Sequence, residues 1–184
     1  MNIISRTTEL DKHLIKPYLK KDSITVDMTA GNGNDTLFLA LNSKKVYAFD
    51  IQQVAIEKTE ELLKENCLDN YELICDCHSK IDNYINESID VFIFNFGYLP
   101  KADKIITTIA ETSLKALEKT LELLKINGLI CMTLYHGHKN GEIERREILS
   151  YVEKLDFSKY YVLYIMPINQ KNCPPEMVLI TKRK

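Results

Sequence analysis

The chain has 184 residues, 45% of them apolar and 27% charged, with a net charge of −2. That length suits one domain, 1–184, able to bury roughly 70% of its unfolded surface without metals or disulfides. No apolar run approaches the ~18–20 residues that cross a bilayer, and the charge balance carries no overall basic signal for nucleic acid. Met1 to Arg6 lacks a signal-peptide core, and five scattered cysteines suit reduced thiols, so a cytoplasmic protein is expected, with oligomeric state left open, a homodimer included.

Thr7 to Lys20 predicts a first helix with Leu10, Leu14 and Tyr18 on one face, disturbed at Pro17, capping the sheet or a pocket. Ile24 to Met28 reads as a strand, Gly31 and Gly33 break it, and Thr36 to Leu41 resumes with helix formers. Two glycines one residue apart let backbone approach a ligand, and the helix starting near Gly33 aims unpaired N–H groups and a positive dipole end at it. No Lys-Ser/Thr follows, which excludes a Walker A loop, and Thr36 stands where a dinucleotide fingerprint has its third glycine. S-adenosylmethionine fits better than NAD, with Asp27 or Asp35 accepting its ammonium or sulfonium side. A glycine turn without ligand is the plain alternative.

Lys45 to Asp50 is a second strand, ending in an acid nineteen residues after Gly31, near the ~20 at which such an acid reaches ribose hydroxyls. Gln53 to Asn66 is an amphipathic crossover helix. Tyr71 to Cys75 is a third strand, followed by Asp76, placed to meet an adenine amino group or to cap a helix, as Ser79 would. Cys75, Cys77 and His78 have no second pair at zinc spacing, so no metal is expected. Ile89 to Phe94 is almost continuously apolar, as a central parallel strand buried on both faces would be, and runs into Asn95-Phe-Gly-Tyr-Leu-Pro100.

Ile105 to Lys125 carries Ala110, Leu114, Leu117, Leu121 and Leu124 at helical spacing. Gly128 to Tyr135 reads as a strand, His136 to His138 as a turn, Glu142 to Leu155 as a helix and Tyr160 to Met166 as a strand. Val178 to Lys182 closes the chain after the loop Asn169 to Pro175. Strand and helix alternate five times and the chain ends in two strands with no helix between them. The expected fold is α/β and Rossmann-like: a doubly wound, mostly parallel seven-stranded sheet with an antiparallel last strand. Ligands in such sheets lie beyond the C-terminal strand ends, which gathers the glycine turn, Asp50, Asp76 to His78, Asn95 to Pro100 and Tyr135 to His138 on one edge.

Asp27-Met-Thr-Ala-Gly-Asn-Gly-Asn-Asp-Thr36, Phe49-Asp-Ile-Gln52, Phe94-Asn-Phe-Gly-Tyr-Leu-Pro100, Tyr135-His-Gly-His138 and Ile168-Asn-Gln-Lys-Asn-Cys-Pro-Pro175 resemble, nearly end to end, the small bacterial methyltransferases labelled rRNA methylases. The resemblance implies a class I methyltransferase that uses S-adenosylmethionine to methylate the aminomethyl group on 2-thiouridine at the tRNA wobble position. It implies cofactor roles for Asn32, Asn34, Asp35, Asp50, Gln52 and the Cys77-His78 neighbourhood, beside Asp27, Gly31, Gly33, Thr36, Ile51 and Asp76. The partner it implies is tRNA, bound at the anticodon region. Lys101-Ala-Asp103 replaces the glycine-rich turn frequent in relatives, and Lys139-Asn140 precedes Gly141.

Methyl transfer to an amine needs an unprotonated, aligned acceptor, so positioning supplies much of the rate. Asn95 offers a carbonyl that accepts an N–H, in a pattern similar to the Asn-Pro-Pro-Tyr of amino-group methylases, with Phe96-Gly97 in place of the prolines. Phe96 and Tyr98 are candidates to stack a flipped base, with core packing as the alternative. His136 or His138 is a candidate base. Lys101, Lys104, Lys139, Arg145, Arg146 and Lys171 supply local positive charge for RNA, partly cancelled by Asp103, Glu142, Glu144 and Glu147. Tyr135, Asn169 and Asn172 complete the expected substrate side. Three readings stand: a tRNA methyltransferase, a methyltransferase for rRNA, a small molecule or a protein, and a nicotinamide oxidoreductase or non-catalytic binding module.

Overall fold

The apolar and β-branched runs form seven strands of one sheet in a computed structural model that describes residues 7–97 and 107–184. They are β1 (Ile24–Asp27), β2 (Lys45–Asp50), β3 (Tyr71–Cys75), β4 (Ile89–Phe96), β5 (Leu124–Leu134), β6 (Tyr160–Ile165) and β7 (Glu176–Lys182). Their order is β3-β2-β1-β4-β5-β7-β6, and β7 is antiparallel to both of its neighbours. The pairs from β3 to β5 are parallel, as crossover helices between them require.

Helices α1 (Thr7–Ile15), α2 (Asn34–Asn42) and α3 (Gln53–Glu65) cover one face of the sheet, where Ile15, Leu39 and Leu63 pack on Val46, Val91, Ile93 and Cys131. Helices α4 (Ala110–Leu123) and α5 (Lys139–Val152) cover the other, where Ala116, Leu117, Ile148 and Val152 pack with Phe49, Phe92, Phe94 and Phe96. Each of these fully buried phenylalanines contributes about 1.5–3 kcal/mol of burial. Side chains of a strand alternate between faces. Phe92, Phe94 and Phe96 therefore enter the α4/α5 core, and Val91 and Ile93 face α1 and α2. Asn95 shares the second parity.

Several boundaries differ from the expected ones for local reasons. The first helix stops at Ile15 and tightens into a 3-10 turn over Lys16–Tyr18, because Pro17 lacks an N–H and its ring obstructs the preceding turn. The helix expected from Ile105 begins at Ala110, after Ile109 in extended backbone, with the Thr108 amide donating to the Gly97 carbonyl (3.0 Å). β5 starts four residues early because its register against β4 shifts between Ile89 and Val91, with Asn127 in left-handed backbone (φ 64°). α5 starts at Lys139, three residues ahead of Glu142, because the His138 ring caps it. A 3-10 turn over His78–Asn83, invisible to periodicity, packs on α4 and is held by Lys119 Nζ on the Ser79 carbonyl and on Asp82, both at 2.6 Å. Among the described residues no helix is long and apolar enough to cross a membrane.

Candidate active site

The C-terminal ends of β1, β2 and β4 meet at the glycine turn. Asp27, wholly buried at the end of β1, accepts the Thr29 amide (3.1 Å) and the Thr36 hydroxyl (2.7 Å). Thr36, where a dinucleotide fingerprint has glycine, thus ties α2 to the strand through a hydroxyl that glycine lacks. Gly31 and Gly33 are left-handed (φ 56° and 78°), and a Cβ on Gly33 would stand 3.0 Å from the Thr59 Cα, so conformation and space both require glycine there. Asp50 binds the turn to β2: its carboxylate accepts the Gly31 amide (3.0 Å) and the Gln52 amide (2.9 Å). Each of its oxygens retains acceptor capacity, which suits ribose hydroxyls. Asn32 and Asn34 lie exposed on the turn, and Ile51 beside Asp50 is 54% exposed, an apolar surface fit for a base.

At the end of β4, the Asn95 amide nitrogen of the backbone donates to Thr29 Oγ1 (2.8 Å), and its side-chain Nδ2 donates to Asp35 Oδ2 (2.7 Å). The other Asp35 oxygen pairs with Lys12 Nζ of α1 at 3.3 Å. Phe96 does not face the site. Strand alternation sends its ring into the core, fully buried and stacked on Phe94 at 5.0 Å between centroids, which corrects its assignment as a base-stacking group. Gly97 (φ 149°) brings the chain against Tyr135, whose Cβ lies 3.4 Å from the Cβ position of an added side chain. Tyr98 and Lys101, with Lys104, lie outside the described residues.

Gly97 is itself anchored. Its amide donates to Thr108 Oγ1 (2.9 Å), which donates to Glu144 Oε2 (2.7 Å), while Ser113 Oγ donates to Glu144 Oε1 (2.5 Å). Burial pushes the Glu144 carboxyl up, and the two hydroxyls pull it partly back. Glu144, expected among the charges that offset the basic RNA face, is buried. The signal for this lies in the helix register, since Gly141, Glu144, Ile148 and Val152 recur at the three- and four-residue spacing of a buried stripe.

The site is rich in carboxylates. Burial first, and then Asp35, push both Asp11 and Asp27 up to about 7. Burial, with Asp35 and Asp11 behind it, pushes the Tyr135 phenol up to about 12. Such an environment favours a cationic ligand, which is the chemistry of a sulfonium carrying an amino-acid ammonium. A raised folded-state pKa means that Asp11 disfavours the fold increasingly as pH climbs from about 4 to about 7, with the full penalty above. Asp11→Asn should therefore raise Tm by roughly 2–6 °C at pH 8 and by much less at pH 4, since 1 kcal/mol is about 2–4 °C at this size. Melting curves with equal shifts at both pH values would contradict it.

Asp76 is held down at about 2, by Lys80 first, then by the Cys77 amide and the Tyr84 hydroxyl, which occupy both its oxygens. Cys77 Sγ meets Ser79 Oγ at 3.1 Å. His78 is corrected: its ring turns into the core, 7% exposed and edge-on to Phe94, and burial lowers its pKa to about 4, so it presents no face to an adenine. His138 Nδ1 accepts the Gly141 amide (3.1 Å) as the cap of α5. His136 Nε2 lies 3.8 Å from Glu176 Oε1. Arg145, expected to meet RNA, instead pairs with the buried Glu176 and donates to the Tyr164 hydroxyl (2.8 Å), tying α5 to β6 and β7. Lys139, Asn169, Lys171 and Asn172 are exposed. Cys173 approaches Gly137, placing the 169–175 loop beside the His136–His138 turn.

This strand order, with the acid of β2 bonded to the glycine turn of β1, is that of the class I methyltransferases, and the cofactor is S-adenosylmethionine. A family model described as "Putative rRNA methylase" matches residues 46–181, and the chain belongs to that family. A solved rRNA methylase of the same description from Clostridium thermocellum superposes with a TM-score of 0.95 at 39% identity, covering 98% of this chain and 100% of its own. A methyltransferase from Streptococcus mutans, solved in complex with SAH, gives 0.92 at 41% identity, covering 98% and 99%. A chloroplastic tRNA (mnm(5)s(2)U34)-methyltransferase of Arabidopsis thaliana is 31% identical over 97% of this chain and 70% of its own.

Proposed function

We propose that this single-domain methyltransferase transfers a methyl group to the aminomethyl nitrogen of 5-aminomethyl-2-thiouridine at the wobble position of tRNA. The observation that carries the reading is the Asn95 amide, fixed at the end of β4 against the helix that follows the glycine turn. The relationship to a protein named as a tRNA (mnm(5)s(2)U34)-methyltransferase supports the choice of acceptor. S-adenosylmethionine, when bound, supplies a methyl group on a positively charged sulfur. Asp50 would take its ribose hydroxyls, the Gly31–Asp35 backbone its carboxylate, and the Asp27/Asp35 pair would favour its cationic end. Asn95 Oδ1 would accept an N–H of the amine and aim the nitrogen lone pair, a positioning role that needs no strong base. Lys139 at the start of α5 and Lys171 on the neighbouring loop, both exposed, would meet RNA phosphates.

An aminomethyl group is mostly protonated in neutral water, so one proton must leave before nitrogen can attack. His138 is committed as a helix cap, which leaves His136 as the candidate to take it. The rate at limiting tRNA should rise from about pH 6 towards pH 9. His136→Ala should lower it most near neutrality and be partly rescued at high pH, whereas His138→Ala should act mainly through α5 and lower Tm. A flat wild-type profile with chemistry rate-limiting would count against an amine acceptor; an unchanged profile in His136→Ala would remove His136 as the base. Titration calorimetry with S-adenosylmethionine and with NAD separates this reading from an oxidoreductase, since only the first should bind.

A further inference from the structure

We infer that Asp35 is a positioning residue that sets the orientation of the Asn95 amide and thereby restricts the acceptor to an atom bearing its own hydrogen. The inference rests on the proposed amine methylation and deepens it. A carboxylate oxygen has only lone pairs to offer, so the group 2.7 Å from Asp35 Oδ2 must be the Asn95 NH2 and not its carbonyl. The orientation of this amide follows from chemistry. With Nδ2 spent on Asp35, Asn95 Oδ1 necessarily points away from the carboxylate, and among the described residues no hydrogen bond reaches it. The backbone cannot turn to compensate, since the Asn95 amide is held by Thr29 Oγ1 at 2.8 Å, and Thr29 is held in turn by Asp27.

Asn95 Oδ1 is therefore an open acceptor for the incoming group. An amine satisfies it with an N–H while keeping a lone pair for the methyl carbon; a ring nitrogen with an unprotonated lone pair has no hydrogen to give, and the C–H of a ring carbon is too weak a donor to replace it. Lys12, on the other Asp35 oxygen at 3.3 Å, keeps the carboxylate turned towards Asn95 and links the N-terminal helix to this selection. Neither residue needs to touch the acceptor.

The test uses the full chain. In a 15N spectrum the Asn95 side-chain pair, identified by its loss in Asn95→Ala, should show one strongly downfield proton. Asp35→Asn should move that pair. In single-turnover assays on tRNA carrying 5-aminomethyl-2-thiouridine, Asp35→Asn should lower the rate roughly 10- to 100-fold, because amide 35 then supports both orientations of Asn95. Because Asp35 also stands at the cationic end of the cofactor, the rates are compared at saturating S-adenosylmethionine, where a change in cofactor affinity does not enter. Unmoved resonances in Asp35→Asn would overturn the inference, as would a single-turnover rate at saturating cofactor equal to that of the wild type. If wild-type protein fails to methylate the amine, the proposed acceptor falls while the resonance arm still decides whether Asp35 holds Asn95.

Discussion

Replacing Asn95 by alanine is expected to slow single-turnover methylation roughly 100- to 1,000-fold while S-adenosylmethionine affinity stays within a few-fold. The separation follows from where Asn95 sits. Its side chain bonds Asp35 and offers its oxygen outward, whereas the glycine turn and Asp50 are held by bonds that do not include it. Truncation leaves Asp35 with Lys12 and the Thr29 bond to the backbone amide of residue 95 unchanged, so the turn should keep its shape. What disappears is the acceptor that aligns the nitrogen. A methyl-transfer rate near that of the wild type in the folded variant would remove Asn95 from the mechanism, and a parallel loss of cofactor affinity would reassign it to the cofactor.

Asp50→Ala should weaken S-adenosylmethionine binding roughly ten- to a hundredfold, the ratio that corresponds to losing about 1.4–3 kcal/mol of charge-assisted hydrogen bonding to the ribose. Two effects add. The ribose loses its acceptor, and the Gly31 and Gln52 amides lose the carboxylate that clamps the turn onto β2. The sheet should survive, because the buried part of β2, Val46 to Phe49, lies before the acid. Calorimetry on a variant with an unaltered melting curve measures the effect; unchanged affinity would take Asp50 out of the ribose site.

The sheet was legible in the sequence because its strands are short apolar runs bounded by turns, and β2 and β3 have the limits their patterns predict. The glycine turn and the acid of β2 were legible because one βαβ unit spaces them. Phe96 could have been placed by the same arithmetic, since it shares strand parity with Phe92 and Phe94 and so faces the core. Side-chain partners were not legible. Asp35 and Asn95 are 60 residues apart, and Arg145 and Glu176 are 31 apart; no local pattern says which surface-like charge will be consumed by a buried one. His138 looked like a catalytic group because a ring that caps a helix and a ring that moves a proton are the same letter. The three-residue shift in the start of α5 is the physical difference between the two.

The proposed transfer is tested most directly by nucleoside analysis of tRNA that carries 5-aminomethyl-2-thiouridine, after incubation with the protein and methyl-labelled S-adenosylmethionine. One methyl group per wobble uridine is expected, on the exocyclic nitrogen, giving 5-methylaminomethyl-2-thiouridine, with no label in tRNA lacking the aminomethyl group. Label found equally in tRNA without that group, or on a ring atom or ribose, would contradict it.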